Sequence, residues 1–185
     1  RLAIAAIENG ADKIRLNPGN IDKQQEIKAV ICALKAAKIP LRIGLNSGSV
    51  KGGLRRSSMT DKLVAACMDY VKMIEKLKFN NIVISLKANN VLDTVEAYRK
   101  IAKVCSYPLH LGVTATGSSY NGIIKSSIAL GSLLLEGIGD TIRVSLTDNP
   151  TEEVRAAKCI LESLGLGSGG VQVISCPTCG RCELD

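Results

Sequence analysis

Hydrophobic and polar positions alternate with a period of two in five short runs, at residues 13–17 (KIRLN), 41–46 (LRIGLN), 82–87 (IVISLK), 109–114 (LHLGVT) and 142–147 (IRVSLT). Each run predicts a β-strand. Between them the apolar period lengthens to that of a helix. Residues 22–37 place Ile27, Val30, Ile31 and Leu34 on one face, and residues 60–77 do the same with Leu63, Val64, Cys67, Val71 and Ile74. Further helices are predicted at 91–102 and 122–135. The last predicted helix has Asn149 as N-cap, Pro150 at its first position and Gly165 past its end. An additional helical pattern, LAIAAI at residues 2–7, is closed by Gly10. Strands joined by helices of this length cannot be hairpins, so the sheet is expected to be parallel with right-handed crossovers.

The two faces of the predicted strands differ. One is aliphatic throughout: Ile14 and Leu16, Leu41, Ile43 and Leu45, Ile82, Ile84 and Leu86, and their counterparts in the last two runs. The other is polar or small and carries Arg15, Arg42, Gly44, Asn46, Ser85, Lys87, His110, Gly112, Thr114, Arg143 and Ser145. Strands of an open doubly wound sheet are covered by helices on both sides and are apolar on both faces. In a (β/α)8 barrel one face meets the helices while the other fills the interior, with polar groups near the strand C-termini. The pattern therefore predicts an α/β fold of the TIM-barrel type. A complete barrel takes roughly 250 residues, so five strands read as the C-terminal part of one, with three strands expected before Arg1. As the chain also starts without methionine, it reads as a fragment, neither active nor a stable monomer by itself.

At 185 residues and 46% hydrophobic content the chain can bury a core. The longest apolar stretch, residues 128–135, is short and interrupted by Gly131 and Ser132, so no membrane span or signal peptide is expected. Seven cysteines without framework spacing indicate a reducing compartment. Cys32, Cys67, Cys105 and Cys159 fall singly in helical patterns, where buried free thiols are expected. A net charge of +7 raises the possibility of nucleic acid, but only four tyrosines and one phenylalanine are available for stacking and the basic residues are dispersed. A small anion fits better.

Each strand runs into a turn rich in glycine, serine or asparagine, such as Pro18-Gly19-Asn20 and Ser47-Gly48-Ser49. Such turns present backbone N–H groups ahead of a helix and suit a phosphate. The polar strand faces carry three arginines and a lysine but no Asp or Glu, which favours a diphosphate over charges paired internally. His110, the single histidine, sits low on its strand and reads as a packed, hydrogen-bonded residue rather than a base. Gly165-x-Gly167-x-x-Gly170 follows a helix instead of a strand and reads as a linker.

The second candidate site is Cys176-Pro-Thr-Cys179-Gly180. Its spacing supplies half of a four-coordinate metal site. By spacing alone a structural zinc ribbon ranks somewhat above an iron–sulfur cluster, and a redox dithiol ranks lower because the strand–helix context is missing.

The segments IRLNPGNI, LRIGLNSGS, ISLKANN, PLHLGVT, GIGDTIRVSLT and ISCPTCGR together resemble the hydroxymethylbutenyl diphosphate synthase family (IspG, GcpE) over nearly the whole chain. The resemblance implies a partial TIM-barrel domain that binds the substrate, residues 1–165, and a linker with the beginning of a small α+β iron–sulfur domain, residues 166–185. It implies a 4Fe–4S cluster with Cys176 and Cys179 as two of its ligands, the others beyond Asp185, and Cys182 as a bystander. Arg15, Arg42, Asn46, Lys87, Thr114, Arg143 and Ser145 match positions that hold the substrate diphosphate. The implied reaction is reductive opening and dehydration of 2-C-methyl-D-erythritol 2,4-cyclodiphosphate, in the non-mevalonate isoprenoid pathway, with flavodoxin or ferredoxin as donor. A bacterial, cytoplasmic homodimer is implied as well. One position departs from the pattern: where the family reads Thr-Glu-Ala-Gly, this chain has Thr114-Ala115-Thr116-Gly117. The implied glutamate assists proton delivery, and losing a positioned acid costs about a hundred- to ten-thousandfold in rate. A relative that binds the cyclodiphosphate without efficient turnover is therefore the rival reading.

Overall fold

The computed structural model describes residues 1–21, 23–49, 58–88, 90–114 and 117–167. The expectations placed on Asp22, Asn89, Ala115, Thr116 and the cysteine motif at 176–182 lie outside the described residues. In order, the elements are α1 (Leu2–Glu8), β1 (Ile14–Leu16), α2 (Gln24–Ala37), β2 (Leu41–Asn46), a 3-10 turn (Ser47–Ser49), α3 (Met59–Lys76), β3 (Ile82–Lys87), α4 (Val91–Ala102), β4 (His110–Leu111), α5 (Ser119–Leu135), β5 (Thr141–Ile142) and α6 (Pro150–Ser163). All five expected strands are present, and α5 begins one turn earlier than its apolar pattern indicated.

Polar residues start the helices. Ser58 and Asp61 form a reciprocal capping box at α3, Asn90 accepts the Asp93 N–H at α4, and Asn149 accepts the Thr151 N–H at α6. Pro150 occupies the first turn of α6, where its missing N–H has no partner to lose. Past the ends of α1 and α6, Gly10 and Gly165 take positive φ of 86° and 69°.

The strands are parallel and follow sequence order. β1 pairs β2 in the register Ile14 to Leu41, and β2 pairs β3 in the register Leu41 to Ile82. A bridge between Ile84 and Leu109 carries the order on to β4, which pairs β5 through His110 and Thr141. Such sequential order is that of a wall wound in one direction, with the helices on one side.

Their aliphatic face forms the core: Leu41, Ile43, Leu45, Ile82, Ile84, Leu86, Leu109, Leu111 and Val113 are buried together with Ile31 and Leu34 of α2, Leu63 and Ile74 of α3 and Ile101 of α4. The burial thins toward β5, where Ile142 and Leu146 are half-buried. Only Cys67 of the four described cysteines is buried; Cys32 and Cys159 are exposed and Cys105 is half-buried, which corrects the expectation of four buried thiols.

At the seam between β3 and β4 a side chain replaces part of the ladder. The Ile84 N–H donates to the Pro108 carbonyl at 2.8 Å, and the next rung would join Leu86 to His110. There the hydroxyl of Tyr98, from α4, stands between the strands: it accepts the Leu86 N–H at 3.1 Å and donates to the His110 carbonyl at 2.5 Å. Ladder contact resumes where the Thr114 N–H reaches the Ala88 carbonyl. Because Tyr98 is fully buried, nothing else can satisfy these two backbone groups. Tyr98→Phe is expected to destabilise the protein by about 1–3 kcal/mol, the cost of stranding buried polar groups, read as a lower urea midpoint.

Candidate functional site

The polar face of the wall encloses a cavity of about 200 Å³ lined by Arg15, Arg42, Asn46, Lys87, Thr114, Arg143 and Ser145, with Ser85 completing the wall. All seven residues singled out in the sequence thus meet in one place. Asn46 and Lys87 are the last residues of β2 and β3 and are partners in register, so the cavity opens at the C-terminal end of the strands. A second, apolar cavity of about 150 Å³ lies on the helical side, between α2 and α3, and has Ile27, Met73 and Leu77 in its wall.

Two glycines make the room. A Cβ at Gly44 would stand 2.5 Å from Arg15 Nε; with hydrogen there instead, the arginine lies across β2 and donates from Nη2 to the Gly44 carbonyl at 2.9 Å. A Cβ at Gly112 would stand 3.0 Å from Lys87 Nζ, so that glycine leaves the space the ammonium occupies above β4.

Among the described residues none of the four cations forms an ion pair with a carboxylate. Ion pairs among the described residues, such as Arg99 with Glu136 and Lys100 with Asp61 and Glu96, lie on the outer surface and involve none of the four. Lys87 is only 7% exposed. Its burial, followed by repulsion from Arg143, Arg42 and Arg15, pulls its ammonium down to about 8, an effect that Glu153 opposes only weakly. Arg42 is shifted down as well, by burial first and then by Arg15 and Arg143. The arrangement is a concentrated positive field of a kind that suits an anion with several negative oxygens.

His110 lies one step below this cluster on β4. One ring nitrogen, Nδ1, is 2.8 Å from the Thr141 hydroxyl, and Nε2 is buried without a partner among the described residues. Burial and then the charges of Arg42, Lys87, Lys13 and Arg143 push its pKa down to about 4, so the ring is neutral at physiological pH. This agrees with the packed histidine expected from the sequence. What sequence reasoning missed is Ser85 as a wall residue and Tyr98 behind it, whose hydroxyl Ser85 also engages. Ser85 was signalled by its place on the polar face; nothing marked Tyr98.

Among the described residues no group of three or more His, Cys, Asp or Glu side chains could hold a metal ion. Cys176 and Cys179 lie outside the described residues. No described helix is long and apolar enough to cross a membrane.

Residues 1–158 match the model of the GcpE TIM-barrel domain. The chain is 51% identical to the 4-hydroxy-3-methylbut-2-en-1-yl diphosphate synthase (flavodoxin) of Fusobacterium nucleatum over 188 aligned positions, which cover all of this chain and 53% of that protein. It is 50% identical to the synthase of the same description from Clostridium perfringens and 52% identical to that of Caldanaerobacter subterraneus, covering 54% and 53% of them. The chain spans about half the length of these curated relatives.

Two outcomes follow from the geometry. Gly44→Ala is expected to displace Arg15 and weaken binding of inorganic pyrophosphate by about tenfold, the worth of one charge-assisted hydrogen bond, measured by calorimetry. For His110 the folded pKa of about 4 lies below the ordinary 6.5, so the unfolded chain takes up the extra proton between those values. Stability contributed at this site is present above pH 6.5 and is lost as pH falls toward 4. Urea midpoints across that window are expected to fall less for His110→Gln than for the wild type.

Proposed function

The chain belongs to the GcpE family, and from that membership we propose that it forms the substrate-binding part of an enzyme that reductively opens and dehydrates 2-C-methyl-D-erythritol 2,4-cyclodiphosphate to 4-hydroxy-3-methylbut-2-enyl diphosphate. One observation carries the reading: four cationic side chains, without carboxylate partners among the described residues, converge on one cavity at the strand C-termini, and one of them is an almost fully buried lysine. Leaving such charges unpaired is costly unless a ligand supplies the counter-charge. A cyclic diphosphate supplies it in compact form, with oxygens enough for the guanidinium groups and the ammonium, and Asn46, Ser85, Thr114 and Ser145 are placed to hydrogen-bond its remaining oxygens.

Residues 1–165 form part of a (β/α)8 barrel, and the described strands are five consecutive members of it. Residues 166–185 begin the iron–sulfur domain, with Cys176 and Cys179 as thiolate ligands of a 4Fe–4S cluster. When bound, that group supplies electrons one at a time, received from the flavodoxin named for the relatives, or from ferredoxin. The described residues bind and orient the substrate and hold its charge. The enzyme works as a homodimer in the bacterial cytoplasm, within the non-mevalonate route to isoprenoids.

Ala115 favours a second reading, in which the site is kept but turnover is impaired. Both are tested by anaerobic turnover of the cyclodiphosphate by the full-length, reconstituted protein beside its Ala115→Glu variant. Comparable turnover by both is the expected result and makes the chain part of a working synthase whose proton does not come from position 115. Turnover by the variant alone supports the impaired binder. Zinc in place of iron, without visible absorbance near about 400 nm, would sink the cluster assignment.

A further inference from the structure

We propose that Glu153 of α6 is a positioning residue of the anion site: by accepting the Leu146 N–H it fixes the segment that presents Arg143 and Ser145 to the cavity. The inference rests on the reading of that cavity as a diphosphate pocket.

The wall residues differ in what holds their backbone. Arg15, Arg42, Ser85, Asn46 and Lys87 lie within the paired registers of β1, β2 and β3, where Arg15 meets Arg42, Gly44 meets Ser85 and Asn46 meets Lys87. Arg143 and Ser145 have no such support. The ladder of β4 and β5 joins His110 to Thr141 and Leu111 to Ile142, and it ends just before Arg143. From there the segment is tied at three points. The Arg143 N–H reaches the Leu111 carbonyl at 3.0 Å. At the far end the Thr147 hydroxyl donates to the Gly117 carbonyl at 3.1 Å, and the Ser119 hydroxyl to the Asp148 carboxylate at 2.7 Å. Between them no backbone carbonyl accepts the Leu146 N–H among the described residues; Oε1 of Glu153 does, at 3.0 Å.

That contact sets which way the segment faces. Leu146 adjoins Ser145, and neighbouring residues of an extended chain point to opposite sides, so fixing the Leu146 peptide keeps its side chain toward the helices and Ser145 toward the cavity. Burial alone holds this end weakly: Leu146 is half-buried, whereas the corresponding Leu45 and Leu86 are buried. A carboxylate is a stronger acceptor than the carbonyl it replaces, and the first turn of α6, with its free N–H groups, favours a negative charge there. Glu153 also favours the charged form of Lys87, without forming an ion pair with it. A rival account therefore makes its charge, and not its hydrogen bond, the part that matters.

The test uses the full-length protein with inorganic pyrophosphate as the probe, measured by calorimetry. Glu153→Ala removes the acceptor and is expected to weaken binding by about tenfold. Glu153→Gln loses the charge but keeps an oxygen for the Leu146 N–H, and is expected to bind within about twofold of the wild type. In turnover with the reductant, Glu153→Ala is expected to raise KM for the cyclodiphosphate by about the same factor as the loss of pyrophosphate affinity and to leave kcat within a few-fold. Pyrophosphate affinity unchanged in Glu153→Ala, with only the urea midpoint lowered, makes the contact purely structural and overturns the proposal. So does a Gln variant as weak as the Ala variant, which assigns the effect to charge. Should Glu153→Ala not fold, amide hydrogen exchange on the wild type decides: a protected Leu146 N–H that loses its protection no further in Glu153→Gln is expected, and an unprotected one refutes the role. If the wild type binds pyrophosphate as described but neither binds nor converts the cyclodiphosphate, the substrate reading falls and the positioning role stands. If the wild type converts it and Glu153→Ala does so with the same KM, only the positioning role falls.

Discussion

Repulsion between like charges is the constraint around which this wall is built. Arg15, Arg42, Lys87 and Arg143 face one small cavity, and none has a carboxylate partner among the described residues. Arg15 and Arg143 are exposed, but Arg42 is half-buried and Lys87 nearly fully buried; an uncompensated charge taken out of water costs several kcal/mol, and the wall must supply that energy elsewhere. It does so on its opposite face. Leu41, Ile43, Ile84, Leu86 and Leu111 are all at most 2% exposed, and fully burying each contributes about 1.5–3 kcal/mol. One strand therefore performs two opposed tasks, with alternate positions in the core and in the field. Period-two alternation is the only backbone pattern that separates them so cleanly.

Space and rigidity complete the arrangement. Gly44 and Gly112 are absences of side chain that let two long cations lie across neighbouring strands. Tyr98 then fixes the spacing of β3 and β4, because its hydroxyl, rather than a direct rung, joins Leu86 to His110. The same hydroxyl engages Ser85 of the cavity wall. A helix residue on the apolar side thus holds the polar side in register. Preorganisation of this kind spares the ligand the work of gathering four repelling groups.

Much of this was legible from the alternation alone. The strands, their parallel order and the polar face on which the seven cavity residues lie follow from which positions are aliphatic and which are polar, because a strand has only two faces to assign; the choice of those seven came from the family resemblance. Strand limits were less legible: β4 and β5 form only two-residue ladders, since ladder length depends on the neighbour's register and not on local pattern. The exposed Cys32 and Cys159 show the limit on helices, where each lies beside a buried isoleucine, Ile31 or Ile160, and one residue of helical phase separates core from solvent. Tyr98 was invisible for a different reason. An aromatic on the apolar stripe of a helix reads as core filler, and only coordinates reveal that its hydroxyl ends at a break in the sheet.

The mixture of three arginines with one lysine has a consequence that four arginines would lack. Guanidiniums hold their charge at every relevant pH, so they act as a fixed field, and that field helps to loosen the proton on Lys87. An anion bound in the cavity would cancel much of that field, and Lys87 would then hold its proton more tightly, so that the charge of the lysine is tied to occupancy of the site. The arginines thereby make one charge conditional while their own stay fixed.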